Sequence, residues 1–295
     1  MKKIIGIDIG GTCIKADLYS TEGQSLNNYK EVSTHIDYEN KTNDILEQVC
    51  NLIRSYTREN EISGVAISSA GVVNSNTGEI IYAGYTIPGY IGTDFTTEIN
   101  KQFKLPVSVE NDVNCAALGE AWLGKAKGIK TAAMITVGTG IGGSIIINGK
   151  IFNGSSYTAG EVGYLPIKGQ DWQNIASTTS LVKNFEKKTG KENQDGRSFF
   201  KELADGNTIA KEVLDEFIDN LTDGILTISY LINPEVFIIG GGIFSNPDML
   251  LTKIQVALNK KVQDKRFLPK KVVAASLGNE AGRIGAVKHF LNQHT

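Results

Sequence analysis

Two segments of this chain repeat one plan, and that repetition restricts the fold more than any other feature. The first, "IIGIDIGGTCIKADLYSTEG" from Ile4 to Gly23, is a short apolar run, an Asp-Ile-Gly-Gly-Thr turn, an alternating apolar run and a closing turn. The second, "AAMITVGTGIGGSIIING" at 132–149, repeats apolar run, glycine turn, apolar run and an Asn-Gly turn. Each has the pattern of a β-hairpin with a glycine-rich loop. One such hairpin near the start of each half predicts two related domains facing each other. The 295 residues suffice for about two domains, each able to bury its own core.

Further buried strands are predicted at "GVAISSAG", "LPVSVEN" and "EVFIIGGG". Ile45, Leu46, Val49, Leu52, Ile53 and Tyr56 recur at helical spacing, and a long helical pattern runs from Thr208 to Ile232, where Pro234 stops it. A last helix starts near Glu280. Strands alternating with helices predict an α/β architecture that binds ligands at the carboxyl ends of its strands. With no low-complexity linker, the domain boundary is expected as a tight hinge near residue 113. The N-terminal lobe is then 1–113 joined by the C-terminal helix at about 280–295, and the second lobe is 114–279.

Thirty basic residues against 32 acidic ones leave a formal charge of −2, with no run of like charge. That balance argues against a nucleic-acid or membrane surface. No apolar run approaches the roughly 20 residues of a membrane span. Met1–Lys3 lead into a strand that breaks at Asp8, which is no signal peptide, so a cytoplasmic location is expected. Cys13, Cys50 and Cys115 are scattered and odd in number, which fits buried thiols better than disulfides or a zinc knuckle. His35, His289 and His294 offer neither a metal-spaced pair nor an obvious triad member.

"VENDVNCAALGE", 109–120, places Glu110, Asn111, Asp112 and Asn114 where a strand gives way to a helix. Asn and Asp are favoured helix caps, but a cap needs one such side chain and four polar residues stand in five positions. Gly138, Gly140 and Gly143 match G-x-G-x-x-G, yet a strand-like run follows where a dinucleotide fold needs a helix. The alternatives are a hairpin whose backbone N–H groups and Thr139 hydroxyl hold a nucleotide phosphate, or a plain glycine turn. Asp8, before Gly10, Gly11 and Thr12, could hold the water shell of Mg²⁺ or could bond a turn N–H. Lys15 could reach a phosphate or be a solvated strand residue. Gly240–Gly242 could seat an adenosine or open a helix.

Taken together, "IGIDIGGT", "ENDVNCAALGE", "VGTGIGGSIIING", "AGEVGY" and "IIGGGI" resemble the ROK family of sugar kinases and repressors, in order over nearly the whole chain. The resemblance implies a two-lobed actin-like ATPase (ribonuclease H-like) fold with a central cleft. It implies ATP-dependent phosphorylation of a sugar, Mg²⁺ held through water at Asp8, and Asp112 as general base. Asn111 and Glu161 would hold sugar hydroxyls, with Gly71 touching the sugar by its backbone. Gly10, Gly11, Thr12, Lys15, Gly138, Thr139, Gly140, Gly142, Gly241 and Gly242 would surround the nucleotide. The repressors of the family carry a DNA-binding module ahead of this part, whereas "DIGGT" starts here at residue 8, so no nucleic acid is expected. The family tends to dimerise, which makes a homodimer the expected assembly.

The chain departs from the family in one region. Where most family kinases have Glu-x-Gly-His and a zinc-binding cysteine cluster, it has "AGEVGY", with Tyr164 in the His position and no cysteine after Cys115. No zinc site is therefore expected. Gln173 stands where a second sugar-binding glutamate is usual. Both changes fall where the anomeric end of the sugar is held, and an aromatic and an amide there offer a surface for a second sugar ring. This pattern is most similar to the zinc-free β-glucoside kinases, which phosphorylate the 6-hydroxyl of the non-reducing glucose of disaccharides such as cellobiose. The alternative is a monosaccharide kinase for glucose or N-acetylmannosamine, with Tyr164 merely packing. "YTIPGY", 85–90, resembles the family's loop over the sugar, with Tyr90 where Trp is usual.

Overall fold

The structure, a computed structural model, describes residues 2–84, 87–245 and 247–294. Its contacts divide the chain into two compact units. The first runs to Lys127 and takes in Asn153–Thr158 and the segment from Leu277 onward; the second comprises Gly128–Phe152 and Ala159–Ser276. The helices are α1 (Ile45–Thr57), α2 (Phe95–Phe103), α3 (Asp112–Trp122), α4 (Trp172–Ala176), α5 (Thr178–Thr189), α6 (Gly196–Ala204), α7 (Thr208–Ile232), α8 (Asp248–Lys261) and α9 (Ala281–His294).

In the first unit, β1 (Ile4–Ile9), β2 (Cys13–Tyr19) and β3 (Lys30–Ser33) form an antiparallel meander. Strands β4 (Gly64–Ser69) and β5 (Val107–Asn111) then add to β1 in parallel, giving the order 3-2-1-4-5. Helices cover both faces, so β1 buries nearly every side chain. Ile5, Ile7 and Ile9 pack with Ile45, Val49 and Ile53 of α1 and Ile99 of α2. Ile4 faces the other way, into a cluster with Cys115 of α3 and Ile284, Val287 and Phe290 of α9. Each such isoleucine contributes roughly 1.5–3 kcal/mol relative to exposure.

Helices α3 and α9 touch backbone to backbone. A Cβ on Gly119 would lie 2.7 Å from Ala281 O, and one on Gly285 only 1.6 Å from Cys115 O. Because α3 is packed this closely on α9, it stays with the first unit, and the division falls after Lys127 where the sequence pattern set it near residue 113.

The second unit repeats the arrangement with β6 (Thr131–Val137), β7 (Ile141–Ile147), β8 (Lys150–Ile151), β9 (Val236–Gly240) and β10 (Lys271–Ala274). Strands β6 to β8 are an antiparallel meander and β9 and β10 extend it in parallel, in the order 8-7-6-9-10. Its core gathers Ile135, Phe237 and Ile239 of the sheet with Val213, Phe217, Leu221 and Ile225 of α7. Helix α7 spans the predicted 208–232: Asn207 caps it by accepting from Ile209 N and Ala210 N, and Asn233, at φ 46°, ends it. No helix among the described residues is long and apolar enough to cross a membrane.

Candidate active site

Asp8 of β1 pairs with Lys15 across the hairpin and with Ser68 of β4. The Ser68 hydroxyl donates to Asp8 Oδ1 at 2.7 Å. A Cβ on Gly282 would come 2.9 Å from that oxygen and 3.0 Å from Ser68 Oγ, so the first turn of α9 lies directly over the carboxylate. That end of a helix carries partial positive charge. In the loop that follows, Gly10 N donates to Cys13 O at 3.0 Å, and Thr34 Oγ1 donates to Gly10 O at 2.7 Å. Gly11 and Thr12 are exposed and a Cβ on Gly11 would meet nothing, so this backbone is open to a phosphate. Lys15 lines a groove of about 670 Å³ with Asp17, Tyr29, Glu31 and Arg283, surroundings of mixed charge.

At the β5–α3 junction, Asn111 caps the helix: its Oδ1 accepts from Val113 N at 2.9 Å and Asn114 N at 3.1 Å. Its Nδ2 donates to Gly71 O at 2.9 Å and to Asp112 Oδ1 at 3.0 Å. The side chain is thus a cap and a brace at once, and a sugar hydroxyl would reach it only by displacing one of these partners. Asp112 opens α3, half-buried, and its Oδ1 also accepts from Val113 N at 2.8 Å. Gly71 holds φ +89°, and a Cβ there would sit 2.6 Å from Tyr82 O, which explains the glycine. Tyr90 is fully buried, its hydroxyl 2.7 Å from Ser69 Oγ, and burial holds the phenol above its usual range. Tyr85 and Thr86 of the same loop lie outside the described residues.

In the second unit, the loop Gly138–Thr139–Gly140 closes through Gly138 N donating to Gly140 O at 3.0 Å, and a Cβ on Gly138 would meet nothing. Thr178 N donates to Gly138 O at 2.9 Å, so α5, capped by Ser177, begins against this loop. Ser177 and Thr178 were not among the sequence candidates, although "STTS" carries a capping signal. Gly142 pairs with Thr136 within the hairpin. The rest of the glycine pattern serves close packing: a Cβ on Gly143 would lie 2.7 Å from Gly160 O and one on Gly163 2.3 Å from Ile141 O. The turn from Gly160 to Tyr164 therefore rests on β7 and carries Glu161. Because β7 is a strand, Gly138-x-Gly140-x-x-Gly143 is not the entry to a dinucleotide-binding helix.

The Glu161 side chain is exposed, yet desolvation by neighbouring atoms pushes its carboxyl above the usual range, and no hydrogen bond reaches it among the described residues. Tyr164 is 53% exposed. Gln173 is half-buried, and its Oε1 would lie 2.7 Å from a Cβ on Gly140 and 3.1 Å from one on Gly163. It thus fills the space between the glycine loop and the Glu161 turn. At the end of β9, Gly241 holds φ +111° with Val137 O 2.0 Å from where its Cβ would be, and Gly242 is open.

No group of three or more His, Cys, Asp or Glu side chains is arranged to hold a metal among the described residues. A lone Asp8 beside an open glycine loop fits an ion that keeps most of its waters and takes phosphate oxygens. The sequence profile of the ROK family matches residues 4–293. The chain belongs to the ROK family. A β-glucoside kinase from Listeria monocytogenes is 30% identical over 99% of this chain and 98% of its own. Among solved ROK structures of the actin-like ATPase fold, a protein from Streptococcus pneumoniae in complex with sucrose is 32% identical, with a TM-score of 0.86 over 99% of this chain and 98% of that one. A ROK glucokinase from Streptomyces griseus, in complex with glucose and AMPPNP, is 26% identical, with a TM-score of 0.81 over 97% and 98%.

Proposed function

We propose that this ROK protein is an ATP-dependent sugar kinase, acting on the 6-hydroxyl of the non-reducing glucose of β-glucosides such as cellobiose. The observation that carries the reading is Asp112, a carboxylate on the first turn of α3 whose Oδ1 is fixed by Val113 N and Asn111 Nδ2. Phosphoryl transfer asks little covalent help of a protein; it asks for an aligned hydroxyl and neutralised charge. In the reaction, the sugar oxygen bonds to the γ-phosphorus, the bond to the bridging oxygen breaks, and ADP leaves. Asp112 receives the hydroxyl proton. Asp8 and the loops at Gly10–Thr12 and Gly138–Gly140 are the groups assigned to the nucleotide, with Gly241 and Gly242. Bound Mg²⁺, held at Asp8 through water, would supply charge neutralisation on the phosphate oxygens.

Glu161 is assigned a sugar hydroxyl because its carboxyl is partly desolvated and unclaimed by the described residues. Tyr164 supports the glucoside assignment: an exposed aromatic residue on the same turn as Glu161 offers a face on which a second sugar can stack. The β-glucoside kinase among the relatives supports it as well. The test is ATP-dependent ADP release across glucose, N-acetylmannosamine, cellobiose and gentiobiose. Turnover is expected with the two disaccharides; a response to the free monosaccharides alone replaces this substrate with a monosaccharide.

A further inference from the structure

Glu110 has no task in that reaction, yet the structure surrounds it with care. It is 1% exposed. Its Oε1 accepts from Asn111 N at 2.8 Å and Asn114 Nδ2 at 3.1 Å, and its Oε2 from Asn153 Nδ2 at 3.4 Å. None of the ion pairs among the described residues includes it. Burial, and then the carboxyl groups of Glu110, Asp8 and Asp112, hold the neighbouring Cys115 thiol well above its usual range. Burying a carboxyl with no cation is costly, and desolvation raises the Glu110 pKa above the usual carboxylate range. Helix capping does not account for this arrangement, because Asn111 already caps α3.

Asn153 shows what the carboxyl holds. It begins the segment Asn153–Thr158, which lies in the first unit although the residues on both sides belong to the second. This strap is pinned at its start, where Asn153 Nδ2 also donates to Ser75 Oγ at 2.9 Å and Asn153 Oδ1 accepts from Asn114 Nδ2 at 3.3 Å. It is pinned again where Asn76 Nδ2 donates to the Tyr157 hydroxyl at 2.8 Å. Glu110, Asn114 and Asn153 therefore close a ring of hydrogen bonds, and Glu110 also holds the N–H of Asn111, the residue before Asp112.

We propose that Glu110 is a positioning residue: with Asn153 it locks the strap 153–158 onto the β5–α3 junction and holds the N–H of Asn111, and through that residue positions Asp112 for catalysis. The inference rests on Asp112 being the base. Its chemistry is specific, since all three groups that reach Glu110 are N–H donors and only a carboxylate accepts from all three. Glu110→Gln keeps one oxygen for Asn111 N and Asn114 Nδ2 but turns a new N–H toward Asn153 Nδ2. Asn153→Asp alone sets two carboxylates together. The double variant exchanges amide and acid: the new amide donates to the new carboxylate, which still accepts from Asn114, while the Ser75 hydroxyl turns to donate to it where Asn153 donated to Ser75.

The four proteins are compared for ADP release with cellobiose and with glucose, and for amide hydrogen exchange in 153–158. Each single variant is expected to lose about tenfold or more in kcat while the KM for ATP stays within about twofold, because a small displacement of a base costs rate more than nucleotide affinity. Exchange in the strap should quicken in step. The double variant should recover to within about threefold of the parent in kcat and strap protection, a coupling that independent structural losses would not produce. If a single variant fails to fold, recovery of folding in the double supports the pair, and Asn153→Ala, which adds no charge, provides the kcat comparison. Singles with parental kcat, or a double no better than the product of the singles, overturn the proposal. Parental turnover in Asp112→Asn would instead remove the base, a failure distinct from that of the lock.

Discussion

The two units share one strand order but bury different chemistry. Among the described residues, the first unit buries Asp17, Glu110, Glu120 and Arg283, while the buried polar side chains of the second are Ser144, Ser177, Asn220, Thr222 and Ser229, all neutral. The contrast recurs at the strand ends. The row that crosses β1, β4 and β5 reads Asp8, Ser68, Glu110, and its counterpart across β6 and β9 reads Thr136, Gly240. The repeated hairpin thus supplies an open glycine loop twice, but carboxylates at only one of the two sites. In the second unit the same positions carry no charge, and the space beside Gly240 goes to the side chains of Met134, Thr136 and Ala275. The repeated strand order therefore holds buried charge in one unit and neutral polar groups in the other, and the proposed proton acceptor belongs to the charged one.

The sharpest way to break this comparison is Asp112→Asn, which would remove the proposed proton acceptor and little else. Turnover should fall by about 10³-fold or more, in line with the loss of a positioned general base, while nucleotide affinity measured by calorimetry stays unchanged. Turnover near the parental level would mean that the acidic character of the first unit does not serve proton transfer.

A pair of glycine substitutions sharpens the division further. Gly282→Ala in the first unit would press a methyl group against Asp8 Oδ1 and Ser68 Oγ, at 2.9 and 3.0 Å. Its expected effect is a loss of about ten- to a hundredfold in kcat/KM for ATP. Gly143→Ala in the second would meet Val162 Cγ2 at 2.6 Å and Gly160 O at 2.7 Å, lifting the turn that bears Glu161. Its expected effect is a rise of about tenfold in the KM for sugar, with the KM for ATP less changed. Steady-state kinetics with each substrate varied in turn separates the two; if both variants weaken ATP and sugar alike, the functional division between the units is wrong.

How much of this was legible in the sequence depends on the range of the interaction. Local patterns carried the hairpins and the helices: α7 occupies the 208–232 predicted from spacing and Pro234, because an amphipathic face and its caps are properties of neighbours in sequence. The glycines were visible, but their partners were not. Gly143 is needed because Gly160 packs on it, and Gly285 because Cys115 O is there, contacts that a linear pattern does not contain. Asn111 was expected chiefly as a sugar ligand, whereas its side-chain oxygen and amide hydrogens are committed to the helix cap, Gly71 and Asp112. Glu110 and Asn153 stand 43 positions apart and join only through the fold. The division after Lys127 escaped notice for the same reason, since it follows from α3 packing on α9.

The smallest expected effect concerns acid stability, and it tests whether titratable burial is confined to the first unit. His289 on α9 has an Nε2 with no hydrogen-bond partner among the described residues, and burial first, then His294, lowers its pKa from 6.5 to about 4. A depressed histidine binds fewer protons folded than unfolded. Its contribution to stability is therefore fully present above about pH 6.5 and is lost as pH falls toward 4, at most about 3 kcal/mol in all. Glu110 acts in the opposite sense, because its pKa, raised by burial, favours the folded state at low pH and that contribution fades as pH rises. The difference between the parent and His289→Leu isolates the first effect. Denaturant midpoints measured from pH 7 to pH 4 should fall more steeply for the parent, and peptide-resolved hydrogen exchange should locate the loss in β1, β4 and α9. Equal acid slopes for the two proteins, or a loss spread evenly over α7 and β9, would show that burial of titratable groups does not set the acid limit of this fold.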